Sequence, residues 1–411
     1  VKRNVLIIGA GGVAQVVAHK AAQHNDRLGD LHIASRTLAK AEAIIAGVHA
    51  KAAMKVPGVF QAHTLNAMDT AAVVALIKAT GCQIVINVGS AFVNMPVLDA
   101  CIQAGVAYMD TAIHEDPEKV CETPPWYGNY EWKRREACRA AGVTAILGVG
   151  FDPGVVNAYA RVAEGMMDTI TSIDIVDINA GSHGRWFATN FDPEINFREF
   201  TGTVFSWQNG AWQSNSMFEV GKTWDMPVVG EQKAYLTGHD EVHSLSARYA
   251  KADVRFWMGF GDHYINVFTV LKNLGLLSEQ PVKTAEGQEV VPLKLVKAVL
   301  PDPASLAATY TGKTCIGDFV KGIKDGKPVE VLIYNVADHK DAYDEVGSQG
   351  ISYTAGVPPV AAALLIAEGT WDTGTMANVE DLDPKPFINL LNGMGLPTRI
   401  KDTSGDRALR F

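Results

Sequence analysis

The chain has 411 residues, 47% of them hydrophobic, and a formal charge of −9 from 36 Lys and Arg against 45 Asp and Glu. That length and apolar content imply sizeable cores divided among two or three domains. The acidic balance argues against a general nucleic-acid surface, and we find no apolar run of membrane-spanning length, so a soluble chain with no membrane partner is expected. Cys82, Cys101, Cys121, Cys138 and Cys315 have neither metal-ligand spacing nor a disulfide framework. Reduced thiols, a cytoplasmic location and no bound metal follow as expectations.

Residues 4–8, Asn-Val-Leu-Ile-Ile, read as a buried strand that runs into Gly9-Ala10-Gly11-Gly12-Val13-Ala14 and an alanine-rich helix over 13–23. Gly9 allows a tight turn, Gly11 allows a pyrophosphate to approach the backbone, and Ala14 lets the helix pack close to the strand. Gly9, Gly11, Gly12 and Val13 are therefore the expected dinucleotide contacts, beside a helix end that favours anions. The second strand ends in Ser35-Arg36-Thr37 without the acidic residue that grips a ribose 2'-hydroxyl. Two hydroxyls and a guanidinium suit a 2'-phosphate, so we expect NADP rather than NAD. Ser35 and Thr37 also fit as caps of the next helix, 38–46, with Arg36 solvated, and the two readings are compatible.

Further along, strands are expected at 60–66, 82–88, 107–110 and 144–150, with helices at 69–79, 95–104 and 131–141. Ligands settle at the carboxyl ends of parallel strands. That rule singles out Asn87, Val88, Gly89 and Ser90 for the cofactor and Asp110 for a substrate.

The pattern changes after Gly150. Phe151-Asp152-Pro153-Gly154 turns into a helix, and strands at 173–178, 249–258, 265–270 and 329–336 suggest a mixed sheet with one covered face. The stretch 182–209 reads as a long connection without clear structure, a binding loop or a dimer surface. Residues 353–367 form an apolar helix ended by Gly369. The expected architecture is α/β: a Rossmann-type dinucleotide-binding domain over 1–150, an inserted α+β mixed-sheet substrate and dimerisation domain over 151–352, and a return over 353–411 that packs on the first domain and the junction. Glycines at 148–150 and 356 are expected hinges.

With these residues on view, the chain resembles the saccharopine-dehydrogenase-like reductases, and within them the carboxynorspermidine/carboxyspermidine dehydrogenase branch. The likeness spans essentially the whole chain. It rests on Gly9-Ala10-Gly11-Gly12-Val13-Ala14, Ser35-Arg36-Thr37, Gly150-Phe151-Asp152-Pro153-Gly154, Phe191-Asp192-Pro193-Glu194-Ile195-Asn196-Phe197-Arg198-Glu199 and Thr354-Ala355-Gly356-Val357-Pro358, in that order. The resemblance implies a homodimer that uses NADPH to reduce the imine formed between aspartate β-semialdehyde, an amino-aldehyde, and a diamine, 1,3-diaminopropane or putrescine.

Such chemistry needs an arginine for the amino-acid carboxylate and carboxylates for the distal ammonium. Arg198 is the first choice for the carboxylate and Arg185 the second; alternatively Arg198 pairs with Glu194 or Glu199 within a helical turn. Asp110, Asp152 and Glu194 are the candidates for the ammonium, although the Asp-Pro-Gly at 152–154 equally suits a helix start capped by Asp152. His114 and His183 are the candidate proton donors. His239 and His243 lack the companions of a zinc helix.

Overall fold

The computed structural model describes residues 2–119 and 122–411. Cys121 lies outside them, and the other four cysteines are free and buried. Strands made of continuous apolar runs must be covered on both faces. Accordingly β1 (Val5–Ile8), β4 (Ile84–Asn87) and β5 (Ala107–Asp110) are buried at every residue, with β2 (Leu31–Ser35), β3 (Phe60–Thr64) and β6 (Ala145–Leu147) completing the run. They pair in parallel in the order 3-2-1-4-5-6, a Rossmann-type arrangement whose crevice opens where β1 meets β4. A seventh parallel strand, Met376–Asn378, comes from much later in the chain to lie beside β6.

A ten-stranded mixed sheet forms the second layer system. Its central strand, Thr169–Asn179, pairs in parallel with Asp253–Gly259 and antiparallel with Lys313–Lys324, which in turn pairs with Lys327–Asp338. The helix Val155–Glu164 packs against this sheet, and its buried residues share one hydrophobic core with β1, β2 and β4. That shared core fixes the two sheets around a common cleft.

Several expectations are corrected. Residues 265–270 are not a strand but part of the helix Asp262–Asn273, because Tyr264, Phe268 and Leu271 recur at helical spacing and meet Phe197, Phe200 and Leu293. The strand expected from 249 begins only at Asp253, after the helix Asp240–Arg248. The connection at 182–209 holds a helix, Pro193–Thr201, and a strand, Val204–Gln208. Asp192 caps that helix by accepting the Glu194 N–H at 2.8 Å, with Pro193 at its first position.

The apolar helix near the carboxyl end spans Gly350–Ala367 and, contrary to the sequence expectation, is long and apolar enough to cross a membrane. In the fold, 83% of it is buried inside the protein. It packs on the helix Gly12–Gln23, where a Cβ on Gly356 would lie 2.6 Å from the Val16 Cβ. Gly356 therefore serves close helix approach, not a hinge. The return is also divided: Met376–Asn378 joins the nucleotide sheet, while Thr398–Asp402 and Gly405–Ala408 extend the second sheet beyond Lys327–Asp338.

Candidate active site

Gly9 adopts φ 119°, and a Cβ there would meet the Val88 carbonyl oxygen at 2.6 Å, so the turn after β1 admits only glycine. At Gly11, which precedes the helix Gly12–Gln23, no atom lies within 4 Å of the equivalent position. This helix has no side-chain cap and no acid in its first turn, which leaves its N–H groups and dipole to an anion. Gly11, Gly12, Val13 and Val88 line a cavity of about 760 Å³ between the two sheets. The adjoining wall comes from the Gly350–Ala367 region: a Cβ on Gly12 would meet the Ser352 Oγ at 2.7 Å, and the Ser348 hydroxyl donates to the Gly12 carbonyl at 3.2 Å. Pro358 and Pro359 carry no N–H, so the carbonyls of Thr354 and Ala355 lose their usual helical partners; both residues line the same cavity.

Asn87 is buried and acts on the loop. Its amide donates to the Asn94 Oδ1 at 2.8 Å while its own Oδ1 accepts the Gly89 N–H at 3.2 Å. Gly89 and Ser90 are exposed beside it, outside the cavity lining. At the end of β2, the Ser35 Oγ accepts the Thr37 N–H at 3.3 Å, and the Thr37 side chain makes no cap bond to the helix Leu38–Ala50. Arg36 is exposed, and Lys40, which the sequence reading missed, reaches the cavity. A glycine cradle, an uncapped helix end and basic groups in place of an acid fit an NADP-type dinucleotide.

The expected substrate residues separate into two groups. Asp110 does not line the cavity: its Oδ1 accepts the Gly148 N–H at 2.7 Å and its Oδ2 the Tyr108 hydroxyl at 2.8 Å. Burial pushes its carboxyl up to about 7. A residue at a strand end can turn its side chain into the structure, and Asp110 braces β5 against the next turn. Glu194 is also outside the lining, held by Lys297 at 2.9 Å; Lys297 itself lines the cavity and pairs with Asp192 at 3.0 Å. Arg185 is exposed away from the cavity, and its backbone N–H donates to the His183 Nδ1 at 3.1 Å. His183 lies edge-on to Tyr310, also away from the cavity.

Arg198, Asp152 and His114 do line it. The Arg198 guanidinium meets Glu279 at 2.8 Å and Glu115 at 3.6 Å, not Glu194, and makes long contacts of 3.3 to 3.4 Å with the carbonyls of Asp116, Pro117 and Lys119. The Glu199 side chain of the alternative pairing is outside the described residues. His114 donates its backbone N–H to the Glu131 Oε1 at 2.6 Å, and its Nδ1 meets the Ala91 carbonyl at 3.0 Å. That carbonyl requires the proton on Nδ1, which leaves Nε2 as an acceptor. Burial lowers the His114 pKa and favours this neutral ring.

Asp152 does not cap the helix Val155–Glu164, because the Gly154 N–H goes to the Asn157 Oδ1 at 2.8 Å. Burial and the charge of Asp177 instead raise the Asp152 carboxyl, and Asp177, His239 and Asp240 also line the cavity. His239 Nδ1 is 2.6 Å from the Glu241 Oε2. None of Asp177, His239, Asp240 or Glu241 was foreseen. Asp177 interrupts an apolar strand, a visible sign, but its meeting with 239–241 depends on tertiary pairing.

The Saccharopine dehydrogenase NADP binding domain model matches residues 5–146 and the Saccharopine dehydrogenase C-terminal domain model matches residues 150–396. The chain is 46% identical over 400 residues to carboxynorspermidine synthase of Vibrio alginolyticus, covering 97% of each. It is 42% identical over 395 residues to carboxyaminopropylagmatine dehydrogenase of Synechocystis sp., covering 96% of each. Among solved structures, apo saccharopine dehydrogenase (L-Glu forming) from Saccharomyces cerevisiae matches with a TM-score of 0.72 at 14% identity, covering 98% of this chain and 100% of that one, which shows a shared fold. Sequence, fold and dinucleotide cradle thus agree that the chain belongs to the saccharopine dehydrogenase family, as an NADP-dependent oxidoreductase acting on CH–NH groups.

Proposed function

We propose that this enzyme carries out the NADPH-dependent reductive condensation of L-aspartate β-semialdehyde with 1,3-diaminopropane or putrescine, forming carboxynorspermidine or carboxyspermidine in polyamine biosynthesis. The observation that carries this reading is that one cavity is lined together by the glycine loop, by the carboxylates Asp152, Asp177 and Asp240, and by the cations Arg198 and Lys297. A zwitterionic imine with a second ammonium needs both kinds of anchor.

In this reaction the amine nitrogen bonds to the aldehyde carbon, water leaves, and the resulting C=N carbon is reduced. Bound NADPH supplies the hydride. Arg198 is the proposed carboxylate anchor, because its guanidinium lines the cavity and its planar fork can clamp a carboxylate by two parallel bonds, in exchange with or beside its pair with Glu279. His114 Nε2 is the proposed acceptor for the proton that the amine sheds on attack. We also propose a cytoplasmic homodimer, with sedimentation at working concentration as its test: a monomeric mass would remove the dimer.

Steady-state consumption of NADPH with the aldehyde and 1,3-diaminopropane, putrescine or agmatine, followed by product mass analysis, tests the reaction. Agmatine is included because one relative is named for an agmatine conjugate. Amine-dependent oxidation with the conjugate as product is expected. NADPH oxidation that needs no amine, or none at all, would overturn the proposal.

A further inference from the structure

We propose that the main-chain carbonyl of Ala355 is a binding group for NADP(H), an acceptor that the pair Pro358-Pro359 frees for the carboxamide N–H of the nicotinamide. In an α-helix each carbonyl takes the N–H four residues on, or three residues on where the turn tightens. For Ala355 both of those residues are prolines inside the helix Gly350–Ala367, and proline carries no N–H. Val360, the next N–H along, is the regular donor to the Gly356 carbonyl. Thr354 differs, because Val357, three residues on, still has an N–H to give. Among the described residues no side chain and no N–H from outside the helix donates to the Ala355 carbonyl. A main-chain acceptor left in this condition costs free energy until something donates to it.

The surroundings of Ala355 say where that donor comes from. From 352 to 366 every residue of the helix is buried except Ala355, which lines the cavity together with Ile351 one turn earlier. A helical carbonyl lies on the face that its own residue shares with the residue four on. The one opening in this buried stretch is therefore at the one carbonyl without a helical donor. Its neighbours place it beside the glycine loop: Ser352 meets Gly12, and a Cβ on Gly356 would lie 2.9 Å from the Val13 carbonyl oxygen. The helix also packs against β4 and β5, on the side of the crevice away from Ser35-Arg36-Thr37. With the adenosine half of a dinucleotide at the end of β2 and its pyrophosphate at the glycine loop, the nicotinamide half falls to this side. Its carboxamide brings an NH2 whose two N–H groups need acceptors once they leave water. A neutral carbonyl suits that neutral donor, whereas an ammonium is held better by carboxylates.

The test is calorimetric binding to the full chain, without turnover. Its ligands are NADP+, the 3-acetylpyridine analogue in which a methyl ketone replaces the carboxamide, and adenosine 2',5'-bisphosphate, which lacks the nicotinamide half. The wild type should bind NADP+ about 3- to 10-fold more tightly than the analogue, the worth of one neutral hydrogen bond. Pro359→Ala gives back the N–H four residues on from Ala355. In that variant NADP+ should weaken by the same factor, the analogue should hold its affinity, and their ratio should fall to near unity. Adenosine 2',5'-bisphosphate should bind both proteins equally. Pro358→Ala returns the regular donor of Thr354 instead, and should keep the wild-type ratio; equal losses in the two variants would make the effect one of proline removal and overturn the proposal. A folded Pro359→Ala that keeps the ratio, or weakens all three ligands alike, would overturn it too. So would a wild type that does not distinguish NADP+ from the analogue, a comparison that needs no variant and would leave the carbonyl to a substrate amine. None of these measurements depends on which amine is joined to the aldehyde, so they decide the matter even if the reaction proposed above fails.

Discussion

Replacing Glu131 with Gln should stabilise the protein, and only toward alkaline pH. Glu131 is 0% exposed; its Oε1 accepts the His114 N–H at 2.6 Å and its Oε2 has no partner. Burial, reinforced by the charge of Asp110, pushes its carboxyl from 4.5 up to about 8. The folded protein therefore holds a proton that the unfolded chain has already released. The stabilisation linked to that proton is complete below about pH 4.5 and is lost as pH rises through about 8. A full shift of this size corresponds to several kcal/mol, and relaxation around the charged form reduces the effective penalty to on the order of 2 to 4 kcal/mol. Gln reproduces the neutral carboxyl, still accepts the His114 N–H and never ionises. Urea unfolding of both proteins between about pH 5 and about pH 9 should show similar midpoints at the acid end and a growing advantage for the variant at the alkaline end. A variant less stable than wild type at about pH 9, or an advantage independent of pH, would refute the reasoning.

The remaining predictions concern the cofactor, the substrate and the helix contact. Arg36→Ala should raise the KM for NADPH by about 10- to 100-fold and change that for NADH little, since only the former has a 2'-phosphate; equal small changes would return Arg36 to solvent. Arg198→Lys should raise the KM for the aldehyde without changing that for NADPH, because the charge facing Glu279 is kept and the bidentate fork is lost; unchanged kinetics would leave Arg198 as a clamp for Glu279 and the neighbouring carbonyls. Gly356→Ala should lower the thermal midpoint through a cost of about 1 to 3 kcal/mol, since its methyl would crowd Val16; an unchanged melt would contradict the close approach.

The nucleotide half was legible because its parallel strands are buried on both faces, which leaves uninterrupted apolar runs, and because the turn after β1 demands glycine. The second half was harder. At 265–270 the alternation of apolar and polar residues with an aromatic interruption suggested a strand, whereas the wider spacing of Tyr264, Phe268 and Leu271 sets a helix face. Within 182–209 the Asp192-Pro193 start was visible as a cap followed by a proline, but the aromatic and charged residues around it suggested a loop. Asp152 was legible as a strand-end acid, and the same rule misplaced Asp110, because sequence gives a residue's position along a strand and not the direction of its side chain at the end. His239, Glu241 and Asp177 were missed for a related reason. Their association comes from a helix start laid against a strand more than sixty residues earlier, and no local spacing records it.

The central claim is that one cavity joins aldehyde and diamine and delivers hydride to the C=N carbon between them. Incubation with aspartate β-semialdehyde, 1,3-diaminopropane and NADPH deuterated at the transferable position of the nicotinamide tests it, with mass spectrometry and fragmentation of the product. The account predicts carboxynorspermidine carrying a single deuteron on the former aldehyde carbon, next to the new secondary amine. A conjugate without that label, or deuterium found only in the alcohol of a reduced aldehyde, would contradict it.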